Sequence, residues 1–352
     1  LLFAPVSGPA GTGEYVRCLT IARAAAARWP ALEISFVLSR QAPYLESVPF
    51  EVHAITGSPT RHTAAVVDVL ERVRPHAVVF DNAGRTAQLA AACRLGARTV
   101  YVSRRPGKRR KAFRPRWLRR LDQHWIAFPT FIDGPPGVWE RLMLRLFPHV
   151  EVVFLGAVFS ESEAGRRAAL RERLGVAGRP YALFTGGGGG RHARGAGAPA
   201  VFAAAAAAVA HAGDLAVVLV AGQSAPPAAA GAGRLTVVSS LPPEQLIDLV
   251  HDAELVACNG GTTLTQALAH RRPCVAVAVA DDQPPRVRRC ARLGLIEVAP
   301  LDGGALAARA LALARDPARR AELSRRAAAT GLDNGVPRAV AALARLLPAT
   351  GE

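Results

Sequence analysis

Cys258-Asn259-Gly260-Gly261-Thr262-Thr263-Leu264-Thr265-Gln266-Ala267-Leu268 closes the apolar run Leu255–Cys258 and passes into a helical pattern over Thr262–His270. A strand that leads through a glycine turn into a helix is the building unit of a parallel α/β sheet. At this helix start the free backbone N–H groups and the Thr262 and Thr263 hydroxyls suit a phosphate, aided by the helix dipole. Thr262 also suits a plain N-cap, and the two roles are compatible.

The same alternation extends in both directions. Downstream, the apolar run Cys274–Val279 ends in Ala280-Asp281-Asp282-Gln283-Pro284, again at the carboxyl end of a strand. Upstream, Tyr181–Thr185 ends in Gly186–Gly190, five successive glycines. Each of them costs backbone entropy, so a loop that admits a ligand to the backbone explains them better than packing does. Further strands fit Ala216–Val220, Leu235–Val238 and Ile296–Val298, and helices fit 200–212, 243–250, 285–293, 304–314, 317–330 and 336–347. In the first half, strands fit 2–6, 33–38, 50–54, 77–80, 98–102, 124–127 and 152–155, and helices fit 14–28, 62–73, 85–95 and 138–146. The polar stretch Ser160-Glu161-Ser162-Glu163 separates the halves. The expected organisation is two doubly wound Rossmann-like domains, 1–158 and 159–352, facing a cleft, with the last helix a candidate to pack back on the first domain. In such sheets ligands bind outside the carboxyl ends of the strands.

The first strand ends in Ser7-Gly8-Pro9-Ala10-Gly11-Thr12-Gly13-Glu14-Tyr15, another glycine turn into a helix. It lacks the Lys-Ser/Thr of a P-loop and the full dinucleotide spacing. Glu14 is a candidate general base, or a first-turn acid that complements the helix dipole. Asp81, in Asp81-Asn82-Ala83-Gly84, is a second candidate base or a helix cap. The nine His show no metal-ligand spacing, and His124, His192 and His211 read as structural or exposed.

Composition narrows the classes. In a chain of 352 residues, 50% hydrophobic and 20% charged, disorder is excluded as the general state. Five Cys without a C-x-x-C pair argue against a disulfide scaffold and a zinc site, and for reduced thiols in a cytoplasmic protein. No apolar stretch reaches the length of a membrane span, and the first residues do not read as a signal peptide. The net charge of +17 is concentrated: ten basic residues and no acid lie between Arg104 and Arg120. With Phe113, Trp117 and Leu118 interleaved, this segment reads as an interfacial anchor on an anionic membrane, or as a solvated loop. Nucleic acid is the less favoured polyanion.

Three pieces carry a resemblance: Asn-Gly-Gly-Thr-Thr-Leu-Thr-Gln-Ala-Leu-Ala at 259–269, Arg-Arg-Pro-Cys-Val-Ala-Val at 271–277, and Asp-Asp-Gln at 281–283. Together they resemble the carboxyl-terminal signature of GT-B nucleotide-sugar glycosyltransferases, in particular the MurG-type transferases of family 28. The opening Gly-Thr-Gly-Glu-Tyr-Val-Arg-Cys-Leu-Thr-Ile-Ala at 11–22 resembles PseG-type UDP-sugar hydrolases of the same fold. The resemblance implies inverting transfer from a nucleotide diphosphate sugar, UDP in the first instance, to a saccharide or lipid-linked acceptor, without a metal or other cofactor. With the basic segment, the expected place is the cytoplasm, with peripheral contact at the inner face of the cytoplasmic membrane as its extension. Hydrolysis of the nucleotide sugar and non-catalytic anion binding are the alternatives.

The resemblance assigns Asn259, Gly260, Gly261, Thr262 and Thr263 to the diphosphate, Gln266 to the ribose, and Asp282 and Gln283 to the vicinity of the donor sugar. Gly187, Gly188, Gly11 and Gly13 line the same ligand. Three departures stand out: Gln266 replaces the family's Glu, no His occupies the first glycine loop, where Glu14 and Tyr15 stand, and Arg286 lies at or near the place of an Asn that often follows Asp-Gln.

Overall fold

The computed structural model describes residues 1–8, 12–187, 197–213, 215–222 and 234–348. They form two compact units: Leu1–Val158 joined by the chain from Asn334 onward, and Phe159–Asp333.

In the first unit the elements run β1 (Leu2–Pro5), α1 (Gly13–Arg28), β2 (Ser35–Ser39), β3 (Glu51–Ile55), α2 (Thr63–Val73), β4 (Ala77–Asp81), α3 (Thr86–Arg94), β5 (Arg98–Ser103), α4 (Pro106–Ala112), α5 (Pro115–Leu118), β6 (Gln123–Ile126), α6 (Thr130–Asp133), α7 (Val138–Leu146) and β7 (Glu151–Phe154). All strands pair in parallel, in the order β3-β2-β1-β4-β5-β6-β7. Strands buried on both faces send alternate side chains to opposite sides. Accordingly Phe3 and Val79 join Phe36, Trp125, Ala339 and Leu343 in one core, while Leu2, Val78 and Phe80 join Leu70, Leu89, Tyr101 and Trp117 in the other.

The second unit runs α8 (Ala164–Arg173), β8 (Tyr181–Thr185), α9 (Ala198–Ala212), β9 (Ala216–Val220), β10 (Leu235–Val238), α10 (Pro243–Asp252), β11 (Leu255–Asn259), α11 (Thr262–Ala269), β12 (Cys274–Val277), α12 (Pro284–Arg292), β13 (Glu297–Val298), α13 (Gly303–Arg315) and α14 (Pro317–Ala329). Its sheet is also parallel, in the order β10-β9-β8-β11-β12-β13. The last helix, α15 (Val336–Ala344), returns to the first unit. There Gly335 N–H donates to Ala157 O at 2.6 Å and Gln123 Nε2 donates to Ala342 O at 2.9 Å.

The thirteen strands expected from the sequence are all present, with ends that differ by two residues at most. One expectation is corrected. The Arg104–Arg120 segment is not a loop that offers aromatic groups to a membrane: it folds into α4 and α5, and Phe113, Trp117 and Leu118 are 1%, 0% and 0% exposed. These three rings and branches complete the core against Tyr101, whose ring meets Trp117 edge-on at 4.8 Å. Transferring them to a bilayer would open the unit's own interior.

Candidate functional site

In a sheet ordered β3-β2-β1-β4, connections leave β1 and β4 in opposite directions, and a crevice opens at their carboxyl ends. Pro5 pairs with Asp81 and Asp81 with Val102, so three strands end level there. Of the loop after β1, Gly11 lies outside the described residues. Gly13 opens α1 behind Thr12, which makes no side-chain cap.

Asp81, the last residue of β4, is fully buried. Arg17 of α1 donates Nε and Nη2 to its two oxygens, both at 2.7 Å, and the Cys18 thiol donates to Oδ2 at 3.7 Å. Burial pulls the guanidinium toward neutrality and Asp81 more than reverses that, so Arg17 is held as a cation, while burial outweighs Arg17 and raises the Asp81 carboxyl above its ordinary value. Both lone-pair faces of Asp81 are thus turned toward α1. The carboxylate anchors the helix.

Glu14 lies one turn before Arg17, with its side chain 13% exposed. Asn82, which follows Asp81, donates Nδ2 to Glu14 Oε1 at 2.9 Å and accepts the Arg104 N–H on Oδ1 at 3.2 Å. Asn82 reaches this position with φ of 52°, the left-handed region that Asn tolerates better than most residues. Arg104 Nη1 stands 3.5 Å from Glu14 Oε1. Burial alone would raise the Glu14 carboxyl, but Arg104, Arg17 and the Asn82 amide outweigh it and hold it below the usual range. From sequence, Asn82 reads as part of a cap and Arg104 as part of the basic segment. Their signal was position, directly after β4 and β5.

In the second unit the corresponding crevice lies between β8 and β11. Asn259, at the end of β11, spans it: Nδ2 donates to Gly186 O at 2.6 Å, and Oδ1 accepts the Gly261 N–H at 2.8 Å. Glycine is required on both sides. Gly187 has φ of 91°, and a Cβ there would meet Asn259 Nδ2 at 2.1 Å. A Cβ on Gly261 would meet Asn259 Oδ1 at 2.6 Å, and one on Gly260 would meet Val287 at 2.5 Å. Gly188 lies outside the described residues.

Gln283 accepts both the Gly260 N–H at 3.2 Å and the Val279 N–H at 2.9 Å on Oε1. Arg286 donates to Gly260 O, and its other arm stands 3.3 Å from Asp282 Oδ2. The residues expected near a donor sugar, Asp282 and Gln283, therefore hold the turn itself, and Arg286, which departs from the family pattern, pins it from below. Thr262 is half-buried and Thr263 buried at the start of α11, while Gln266, a turn further on, is 7% exposed. The first-turn N–H groups of a helix have no partners within the helix, so this glycine-lined start offers them to an anion.

Among the described residues no cluster of His, Cys, Asp and Glu could hold a metal ion. His124 is buried with Nε2 2.8 Å from Ser103 Oγ, and burial with nearby Arg109 lowers it to about 3, so it is a neutral core residue. His211 is exposed, and His192 lies outside the described residues.

No family model and no curated protein matches the chain. Solved structures do. The glycosyltransferase of kitacinnamycin is 17% identical, with 99% of each chain covered and a TM-score of 0.63. MurG of Acinetobacter baumannii is 16% identical, covering 98% of this chain and 99% of its own, at 0.61. A putative UDP-N-acetylglucosamine 2-epimerase of Listeria monocytogenes is 14% identical, covering 97% and 95%, at 0.61. The chain has the GT-B fold, two Rossmann-like parallel units. No helix among the described residues is long and apolar enough to cross a membrane.

Proposed function

We propose that this protein is an inverting glycosyltransferase that uses a UDP-sugar. The observation that carries the reading is a pair of complementary switch points on one chain. One has a glycine-lined helix start cross-tied by Asn259, and the other a half-buried carboxylate, Glu14, set by Asn82 and Arg104. The donor diphosphate lies on the Gly260–Thr263 turn, where first-turn amides and hydroxyls take up the charge of the leaving UDP. Glu14 accepts the proton of the acceptor hydroxyl as its oxygen bonds to the sugar's anomeric carbon and the bond to the diphosphate breaks. Water in place of the acceptor would give the hydrolase reading, which release of free sugar without any acceptor would reveal.

UDP at about a hundred times its dissociation constant is expected to raise the melting midpoint by roughly 5–10 °C. Gly261→Val displaces the Asn259 carbonyl and removes that rise, with the far-ultraviolet spectrum retained. An undiminished rise in the variant would move the nucleotide away from this turn.

A peripheral contact with anionic lipid at the cytoplasmic face also fits, on different apolar groups from those expected. Val138, Trp139, Leu142 and Leu146 of α7 are 78%, 60%, 45% and 62% exposed. Arg109 ties α7 to the basic helices through Glu140, with Nη2 2.6 Å from Oε2. Exposed Arg105, Arg110, Arg114, Arg116 and Arg119 supply charge worth on the order of 1 kcal/mol each near an anionic leaflet. Wild type is expected to sediment with anionic vesicles and to be released by salt, and Trp139→Ser with Leu142→Ser to lose most of that binding. Equal binding of variant and wild type would remove α7 from the contact.

A further inference from the structure

Only two of the 44 basic residues are lysines, Lys108 and Lys111, and all the others are Arg. The two lie three apart on α4, so they share one face of the helix. Lys108 Nζ donates to Asn82 O at 2.9 Å, and Lys111 Nζ to Gly84 O at 3.4 Å while standing 4.1 Å from the centre of the Trp117 ring. Both ammonium groups are half-buried, and both rest on carbonyls of the loop after β4. Among the described residues neither forms an ion pair. The cations around them repel: Arg85 acts on both lysines, Arg105 on Lys108, and Arg114 and Arg116 on Lys111, with Glu14 as the opposing charge for Lys108. Burial first, and then these neighbours, lower both groups, Lys111 to about 8.

Half-buried cations without a counter-ion are costly unless an anion completes the site. A compact ammonium is suited to a phosphate as a point charge, where the Arg used elsewhere in the chain would demand planar, two-point contact. Two ammonium groups on one face of α4, Lys108 and Lys111, match a dianion better than a single carboxylate, while Arg85 is exposed and its Nε donates to Thr60 O at 2.8 Å. The site also adjoins the base, since the carbonyl of Asn82 receives Lys108 and its amide holds Glu14.

We infer that Lys108 and Lys111 form a subsite for a phosphoryl group carried by the acceptor. The inference rests on the transferase reading for the word acceptor, and the phosphoryl site itself stands apart from it.

The chain gives only two signals when labelled at lysine Cε, which makes the site directly visible by NMR. An alkyl phosphate added at constant ionic strength is expected to shift both signals saturably and to raise the Lys111 titration midpoint. By calorimetry, Lys108→Gln and Lys111→Gln are each expected to weaken alkyl phosphate roughly tenfold, one charge-assisted hydrogen bond apiece. Should a Gln variant unfold, the wild-type spectra still decide. Three results overturn the inference: signals that ignore alkyl phosphate, signals that move equally with chloride, or binding of inorganic phosphate without the ester, which would make this a free-ion site. UDP that raises the melting midpoint while alkyl phosphate leaves both lysines unmoved would keep the transferase and remove this subsite. Lysines that respond in a protein that ignores UDP would do the opposite.

Discussion

Glu14→Gln is expected to lower turnover roughly 10²–10⁴-fold, the range that general-base catalysis contributes, while UDP affinity stays unchanged. The substitution keeps shape and one acceptor. The Gln carbonyl can still receive Asn82 Nδ2, so the loop after β4 keeps its hydrogen bond and only the proton acceptor is lost. Wild-type turnover in the variant would take the role away from Glu14.

The pH profile gives a second check. The Glu14 carboxyl is held below its ordinary value of 4.5, because Arg104, Arg17 and Asn82 outweigh the effect of burial. A base works when deprotonated, so the acid limb of turnover lies below pH 4.5 and the neutral range is flat. Asn82→Ala removes one of the groups that lower the carboxyl and shifts that limb upward. The sign for stability follows from the same lowering. Glu14 contributes stability above the pKa of the unfolded carboxyl, and that contribution disappears as pH falls through the folded value.

The sheets were legible because most strands are short apolar runs, several of them closed by Gly, Pro, Asp or Asn, the pattern of strands covered on both faces. The glycine turn after β11 was legible as a turn because Gly260 and Gly261 interrupt an otherwise strong strand-to-helix pattern, and a Cβ on either would meet Val287 or Asn259. The basic segment was misread because charge masked periodicity. Pro106 and Pro115 each stand at the start of a helix, where proline is favoured, and Ala112, Phe113, Trp117, Leu118 and Leu121, spread over α4, α5 and the turns after them, are all buried. What no sequence pattern could give was the pairing of distant residues. Arg17 and Asp81 are 64 residues apart, and Glu14 and Arg104 are 90 apart. The sheet order brings each pair together, and with it the Asp81 carboxylate meets Arg17 of α1 on both oxygens.

That anchor carries the largest expected effect on stability. Asp81→Ala leaves the Arg17 guanidinium, 5% exposed, without either of its two charged contacts, and removes the acceptor of the Cys18 thiol. Breaking a buried pair on one side costs about 3–5 kcal/mol, because the remaining charge is neither solvated nor compensated. For a unit of this size that lowers the melting midpoint by roughly 10 °C or more. The complementary variant separates the cost of a lone charge from the worth of the pair. Arg17→Met combined with Asp81→Leu removes both charges and is expected to recover most of the loss, since apolar groups of similar volume often replace buried pairs without net cost. A double variant as unstable as Asp81→Ala would mean that the ion pair itself is needed to seat α1. Catalysis gives the last distinction: if Asp81 only anchors, Asp81→Asn lowers stability but leaves the acid limb of the pH profile below the usual carboxylate range, where Glu14 sets it. A limb abolished in Asp81→Asn and retained in Glu14→Gln would exchange the two roles.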